Sequence, residues 1–289
     1  MLLLRTIRTF HLPHFAYLYV LILFMLRVTS DDAEIVYEVL GDGPPVVLLH
    51  PFPLNHEFWL PAAHSLASHY RLIMPDLRGH GDSGVGEGPA TMAKHAGDVS
   101  RVCDQEGVGR AVFIGVSIGG YLLFEFWRRY RGRVAGLGLC NTRAQAETPE
   151  SRAARLQSAA DVLEHGVEPF IETMIPKLFG KTTLETRPDL VEAVRRMILK
   201  MSPMDINLVQ KGMAERPDSV ETLKTINVPT LLVAGDEDVA TPVPQAELMR
   251  QNIAGAEMKL IRKAGHYAAF EQAEEVGRVL RQFLDRLRT

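Results

Sequence analysis

The chain has 289 residues, 46% of them apolar and 23% charged, and a net charge of −3. This is the make-up of an ordinary globular protein, long enough for one large domain or a core with an insertion, and without a basic stripe that would suit nucleic acid. The two cysteines, Cys103 and Cys140, stand alone and no His/Cys cluster has zinc spacing, so neither a disulfide framework nor a metal site is expected.

Residues 1–30 differ from the rest. Arg5 and Arg8 precede an uncharged run of twelve residues, Phe15 to Leu26. A bilayer span needs about 20 residues, so the run suits the h-region of a signal peptide, with Val28-Thr29-Ser30 offering small residues for cleavage. A membrane anchor over 12–28 would have to absorb Pro13, His14 and Arg27. The reading adopted is a cytoplasmic protein whose natural start lies later, for example at Met25. An exported protein, or one touching the membrane through a retained 12–28 segment, is the alternative. The globular chain is expected from near Asp31 in every case.

From Glu34 onward the pattern alternates between strand and helix. Strands are expected over 34–40, 45–50, 71–76, 111–116, 134–141, 229–235 and 257–262. Several are short, continuous apolar runs such as VVLL, AVFIGV and TLLVAG, which suit strands buried on both faces of a mostly parallel sheet. The first, EIVYEVL, alternates and ends at Gly41-Asp42-Gly43, which suits an antiparallel edge hairpin. Helices are expected over 57–69, 92–107, 118–131, 244–253 and 273–287. This alternation predicts an α/β fold.

One interval breaks the rhythm. Between 143 and 225 no strand is convincing, and 149–165, 167–179, 188–201 and 204–214 read as helices. The interval is too long for a loop and reads as a helical insertion between two strands. The core is then 31–142 and 226–289. Met174, Met197, Met201, Met204 and Met213 fall in this insertion, as its packing core or as the lining of an adaptable pocket.

The stretch FIGVSIGGYLLFEFW holds G-x-S-x-G at a strand-to-helix turn, centred on Ser117. Crowding explains the glycines, because neighbouring backbone must fit beside a sharp turn that pushes the hydroxyl outward. A helix N-terminus also favours negative charge developing there. The bland reading of Ser117 is a helix N-cap beside packing glycines. A nucleophilic serine needs a base, and the base an orienting acid. His266, in KAGHYAAFEQ after a late strand, is better placed than His50, His80 or His95, which read as packing or loop-capping residues. For the acid, Asp236, Glu237 and Asp238 crowd together after the strand 229–235. Asp238 is preferred, three after Gly235 and four before Pro242, and Asp236 reads as a turn carboxylate.

These pieces, with HPFP at 50–53, DLRGHGDS at 76–83, GVSIGG at 115–120, GDEDVATP at 235–242 and AGHY at 264–267, resemble the α/β-hydrolase superfamily over nearly all of 34–287. The resemblance implies an α/β-hydrolase fold with Ser117 as nucleophile, Asp238 as acid and His266 as base, and a structural role for Asp76 and Arg78. It implies an oxyanion hole from the amides of Phe52 and Ile118. The family's usual loop is His-Gly-x-Pro, and Pro51 here replaces the glycine. Pro51 and Pro53 stiffen the loop around the Phe52 amide, and the Phe52–Pro53 bond is a candidate for the cis form. The insertion resembles the family's helical cap. Cys140-Asn141-Thr142-Arg143 and Thr148-Pro149-Glu150 are loosely similar to 3-oxoadipate enol-lactonases and small esterases. The expected activity is cofactor-free hydrolysis of a small carboxylic ester or lactone. Carbon–carbon bond hydrolysis and perhydrolysis need the same three residues, and a ligand receptor on this fold is a further alternative. Epoxide hydrolase and dehalogenase chemistry is disfavoured, because position 117 is serine and not aspartate.

Overall fold

The computed structural model describes residues 25–287. Strands β1 (Met25–Ser30), β2 (Ala33–Leu40), β3 (Pro45–Leu49), β4 (Arg71–Pro75), β5 (Ala111–Val116), β6 (Val134–Cys140), β7 (Thr230–Gly235) and β8 (Glu257–Ile261) form one sheet in the order β1-β2-β4-β3-β5-β6-β7-β8. β1–β2 and β2–β4 pair antiparallel, and every other pair is parallel. The one-turn helix α1 (Leu60–Ala63) follows β3, α2 (Met92–Gln105) follows β4, and α3 (Ile118–Tyr130) follows β5. α4 (Pro149–His165), α5 (Val167–Leu178), α6 (Lys181–Thr186), α7 (Pro188–Ile198), α8 (Pro203–Ala214) and the short α9 (Val220–Leu223) lie between β6 and β7. α10 (Val243–Asn252) joins β7 to β8, and α11 (Ala268–Glu271) and α12 (Ala273–Arg286) complete the described chain.

The apolar strands behave as their composition dictates. β5 and β7 are buried at every residue, because helices cover both faces of the parallel part of the sheet. The helices between β6 and β7 start on local chemistry. Thr148 caps α4 by accepting the Ser151 amide, and Ser202 with Asp205 forms a capping box ahead of Pro203 in α8. α4 and α8 pack together, and Asn207 Nδ2 donates to the Ala159 carbonyl at 2.6 Å between them.

Several expectations need correcting. Met25–Ser30, expected as the end of the leader, is a strand of the sheet. It covers β2, so β2 is the second strand of the sheet, and its hairpin partner is β1. The rest of the expected leader lies outside the described residues. Among the described residues no helix is long and apolar enough to cross a membrane. The helix expected over 57–69 shrinks to a 3₁₀ turn, His56–Trp59, and α1, followed by turns to Ser65 and beyond. α6 and the one-turn helices α9 and α11 are additional to the expected helices, being too short for periodicity to register. Met197, Met201 and Met213 are buried in the core and Met174 packs partly against it, but Met204 is exposed.

Candidate active site

Ser117 sits between β5 and α3 with φ +55° and ψ −113°, a conformation that L residues rarely adopt. The glycines around it are there for space. A Cβ on Gly119 would lie 2.7 Å from the Leu49 carbonyl oxygen, and one on Gly115 would strike the Gly119 backbone. The elbow is fixed from behind, where the Ser117 amide donates to the carbonyls of Cys140 and Asn141, both at 3.1 Å. The Thr142 hydroxyl donates to the Ser117 carbonyl at 2.8 Å.

Of the three crowded acids, Asp238 is the one that meets His266. Its Oδ2 lies 3.0 Å from His266 Nδ1, which places the ring proton on Nδ1 and leaves Nε2 free to accept. Asp236 instead is exposed beside Arg262, 3.6 Å away, and Glu237 takes the amide and hydroxyl of Thr182. Asp238 also accepts the amides of Ala240 and Thr241 at 2.8 and 2.9 Å and the Thr241 hydroxyl at 2.6 Å. Burial works against its charge. The His266 ring and the Thr241 donors outweigh that cost and hold the carboxyl well below the usual range. No direct hydrogen bond joins the Ser117 hydroxyl to the His266 ring in this structure, and both residues are buried.

The loop after β3 is held by several hydrogen bonds. His50 is fully buried; its Nδ1 donates to the Pro51 carbonyl at 3.0 Å and its Nε2 accepts the Leu77 amide at 2.8 Å. Burial pushes its pKa down to about 3, so the ring is neutral. Leu54 donates its amide to the Pro51 carbonyl, the Tyr267 hydroxyl donates to the Phe52 carbonyl, and the Phe52–Pro53 bond is cis as expected. The amides of Phe52 and Ile118 donate to no described residue. β3 and β5 are parallel neighbours with Leu49 opposite Gly115, so these two free donors emerge from adjacent strand ends. Asp76 orders backbone, as expected, by accepting the amides of His56 and Asp82 at 2.8 and 3.0 Å. Arg78 bonds both oxygens of Asp98 and pairs with Asp32.

Four residues that the sequence reading did not single out hold the site together. Asn141, with φ +42°, donates through Nδ2 to Asp238 Oδ2 at 2.9 Å and to the Gly265 carbonyl at 3.1 Å. Its own carbonyl accepts the Ser117 amide, so one side chain and its backbone tie the serine, acid and histidine segments together. Thr241, Tyr267 and Glu271 are the others. Among them Asn141 carried a usable signal, being a polar residue that tolerates the left-handed region at the end of an apolar strand.

A family model described as alpha/beta hydrolase fold matches residues 44–273. The chain belongs to the alpha/beta hydrolase family. It is 37% identical to a thermophilic esterase from Thermogutta terrifontis solved with malate bound, with a TM-score of 0.89 over 92% of this chain and 99% of that one. An enol-lactonase from Burkholderia xenovorans LB400 matches at 26% identity and a TM-score of 0.84, covering 90% of this chain and all of that one. In sequence, 3-oxoadipate enol-lactonase 2 of Acinetobacter baylyi is 25% identical over 253 residues, 86% of this chain and 91% of the relative. The fold class and the likeness to enol-lactonases and esterases read from the sequence therefore hold, and the chain is a hydrolase of this family.

Proposed function

We propose that the protein is a serine hydrolase that cleaves a small carboxylic ester or lactone through an acyl-enzyme on Ser117. The observation that carries this reading is the pairing of the strained Ser117 elbow with the buried Asp238–His266 couple, all just past the carboxyl ends of the parallel strands β5, β7 and β8. The family membership and the esterase and enol-lactonase relatives support an acyl substrate.

In the mechanism, His266 Nε2 takes the Ser117 proton as the oxygen attacks the acyl carbonyl. Asp238 keeps the proton on Nδ1 and stabilises the imidazolium as it forms. The serine–imidazole hydrogen bond absent here is made when substrate enters, as such bonds often tighten only in the complex. The oxyanion falls to the free amides of Phe52 and Ile118, each such donor contributing about 3–4 kcal/mol to the transition state. His266 protonates the leaving alcohol, then activates water to release the acid. No cofactor enters the scheme. The helices of 143–225 act as a cap that shields the acyl-enzyme and shapes the acyl and alcohol pockets.

A fluorophosphonate probe tests the reading. The expected result is rapid labelling of the wild type that Ser117→Ala abolishes, with turnover of short-chain nitrophenyl esters or small lactones. A folded wild type that neither reacts with the probe nor turns over either substrate class refutes it.

A further inference from the structure

We propose that Glu271 is a positioning residue that makes the placement of His266 depend on how the helical segment between β6 and β7 is seated. The inference rests on the reading of His266 as general base. Glu271 closes the one-turn helix α11 just after His266, and its side chain is buried. One carboxylate oxygen accepts the amides of Gly265 and Tyr267, at 2.9 and 3.2 Å, which are the two amides flanking His266. The other oxygen accepts the amide of Gly180 at 2.9 Å, in the turn between α5 and α6. The buried Thr183 hydroxyl favours the charged form of the same carboxylate. One carboxylate therefore grips the histidine loop with one oxygen and the helical segment with the other.

The two segments touch as well as share a partner. A Cβ on Gly180 would lie 2.8 Å from the Gly265 amide nitrogen, and a Cβ on Gly265 would strike Gly180. Only paired glycines allow that approach. The Tyr267 amide also reaches the Leu178 carbonyl at 3.2 Å. A parallel link comes from the acid loop, where Glu237 accepts the Thr182 amide at 2.8 Å and the Thr182 hydroxyl at 2.6 Å. So 178–183 rests on the loops that carry Asp238 and His266. Burial pushes the Glu271 carboxyl above the usual range, against the Thr183 hydroxyl and the three amides. A buried carboxylate held only by neutral donors depends on every one of them. Lifting the segment away removes the Gly180 and Thr183 donors, and the histidine loop loses its brace.

The test is a double-mutant cycle on kcat and KM with a short-chain nitrophenyl ester. Glu271→Gln is isosteric but places an NH₂ group against one set of amides. It is expected to lower kcat about 10- to 100-fold with KM within about threefold of wild type, the signature of a misplaced reacting group. Thr183→Val is expected to lower kcat about threefold alone and to add nothing in the Glu271→Gln background. Thr183→Ser, which keeps the hydroxyl, restores kcat. An unfolding temperature that drops in Glu271→Gln while kcat stays within about twofold of wild type overturns the inference, as does a fully additive pair. If Glu271→Gln does not fold, the Val and Ser variants at 183 decide alone, and unchanged kcat in Thr183→Val overturns it. A wild type inert to esters and to the fluorophosphonate probe sinks the hydrolase reading first. An active wild type with insensitive variants sinks this inference alone.

Discussion

The Tyr267 hydroxyl donates to the Phe52 carbonyl at 3.0 Å, joining the residue after the candidate base to the residue whose amide faces the candidate oxyanion. Two hundred and fifteen residues separate them in the chain. The bond fixes the Phe52 peptide from its carbonyl side and leaves the amide of the same residue free. Tyr267 is fully buried, and its hydroxyl stays protonated because burial pushes its pKa well above the usual value.

Tyr267→Phe removes that bond and leaves the Phe52 carbonyl without this donor. A loss of about 1–3 kcal/mol in stability is expected from the unpaired buried acceptor. A fall in kcat of about tenfold is expected if the loop drifts from the oxyanion position. Urea unfolding and steady-state kinetics on one preparation check both.

The acids at 236 and 238 separate cleanly. Asp238→Asn keeps the volume but loses the charge that sets the His266 tautomer, and kcat is expected to fall by about 10⁴-fold. Asp236→Asn touches only a long contact to the Ala264 amide, 3.5 Å, and the exposed Arg262, so activity is expected to stay near wild type. Kinetics of the two variants side by side decide the assignment, and the reverse order would show that it is wrong.

Strand β1 gives a test at the other end of the chain. The Ser30 hydroxyl donates to Asp98 Oδ1 at 2.6 Å, and Asp98 in turn holds the fully buried Arg78. A chain starting at Asp31 exposes the β2 edge and removes the Ser30 partner of Asp98, and is expected to unfold several degrees below one starting at Met25. Scanning calorimetry compares them.

Acid stability depends on three buried imidazoles. His50 and His80 are held neutral by burial, their pKa values lowered to about 3 and about 4, and burial lowers that of His95 well below the ordinary value. The unfolded chain binds these protons as pH falls through about 6.5, and the folded chain does not, so stability is lost on acidification. For His80 the loss at pH 5 is about 2 kcal/mol. His56 opposes this. Burial resists its charge, but Asp76 and Glu38 raise its pKa, so it adds stability as pH falls. The net expectation is a urea midpoint that drops between pH 7 and pH 5. Neither ring nitrogen of His95 makes a good hydrogen bond, with the Ala90 backbone beside the ring. His95→Leu is therefore expected to match or exceed wild-type stability at pH 7 and to lessen the drop at pH 5.

What could be read from the sequence was local. AVFIGV followed by GVSIGG carries its strand, turn and helix within residues 111–130, and the structure places all three there. The preference for Asp238 over Asp236 also rested on spacing to nearby Gly235 and Pro242. What escaped was long-range. Glu271 braces the histidine loop through Gly180, ninety-one residues away, and Asn141 reaches Gly265 across one hundred and twenty-four. No periodicity encodes such contacts. β1 escaped for another reason, because MLRVTS continues an apolar run that looked like a leader, and its pairing with β2 shows only when the sheet is assembled.

The backbone at Ser117 carries a cost that has nothing to do with chemistry. Holding a side-chain-bearing residue there takes about 1–3 kcal/mol, which glycine would not incur. Ser117→Gly is thus expected to melt at a higher temperature than wild type while turning nothing over, a pairing that calorimetry and an ester assay would detect together. The sturdiest form of this chain is then expected to be an inert one. A laboratory selection that rewards solubility or heat tolerance without also demanding product should drift to glycine at position 117 and disarm the protein while seeming to improve it.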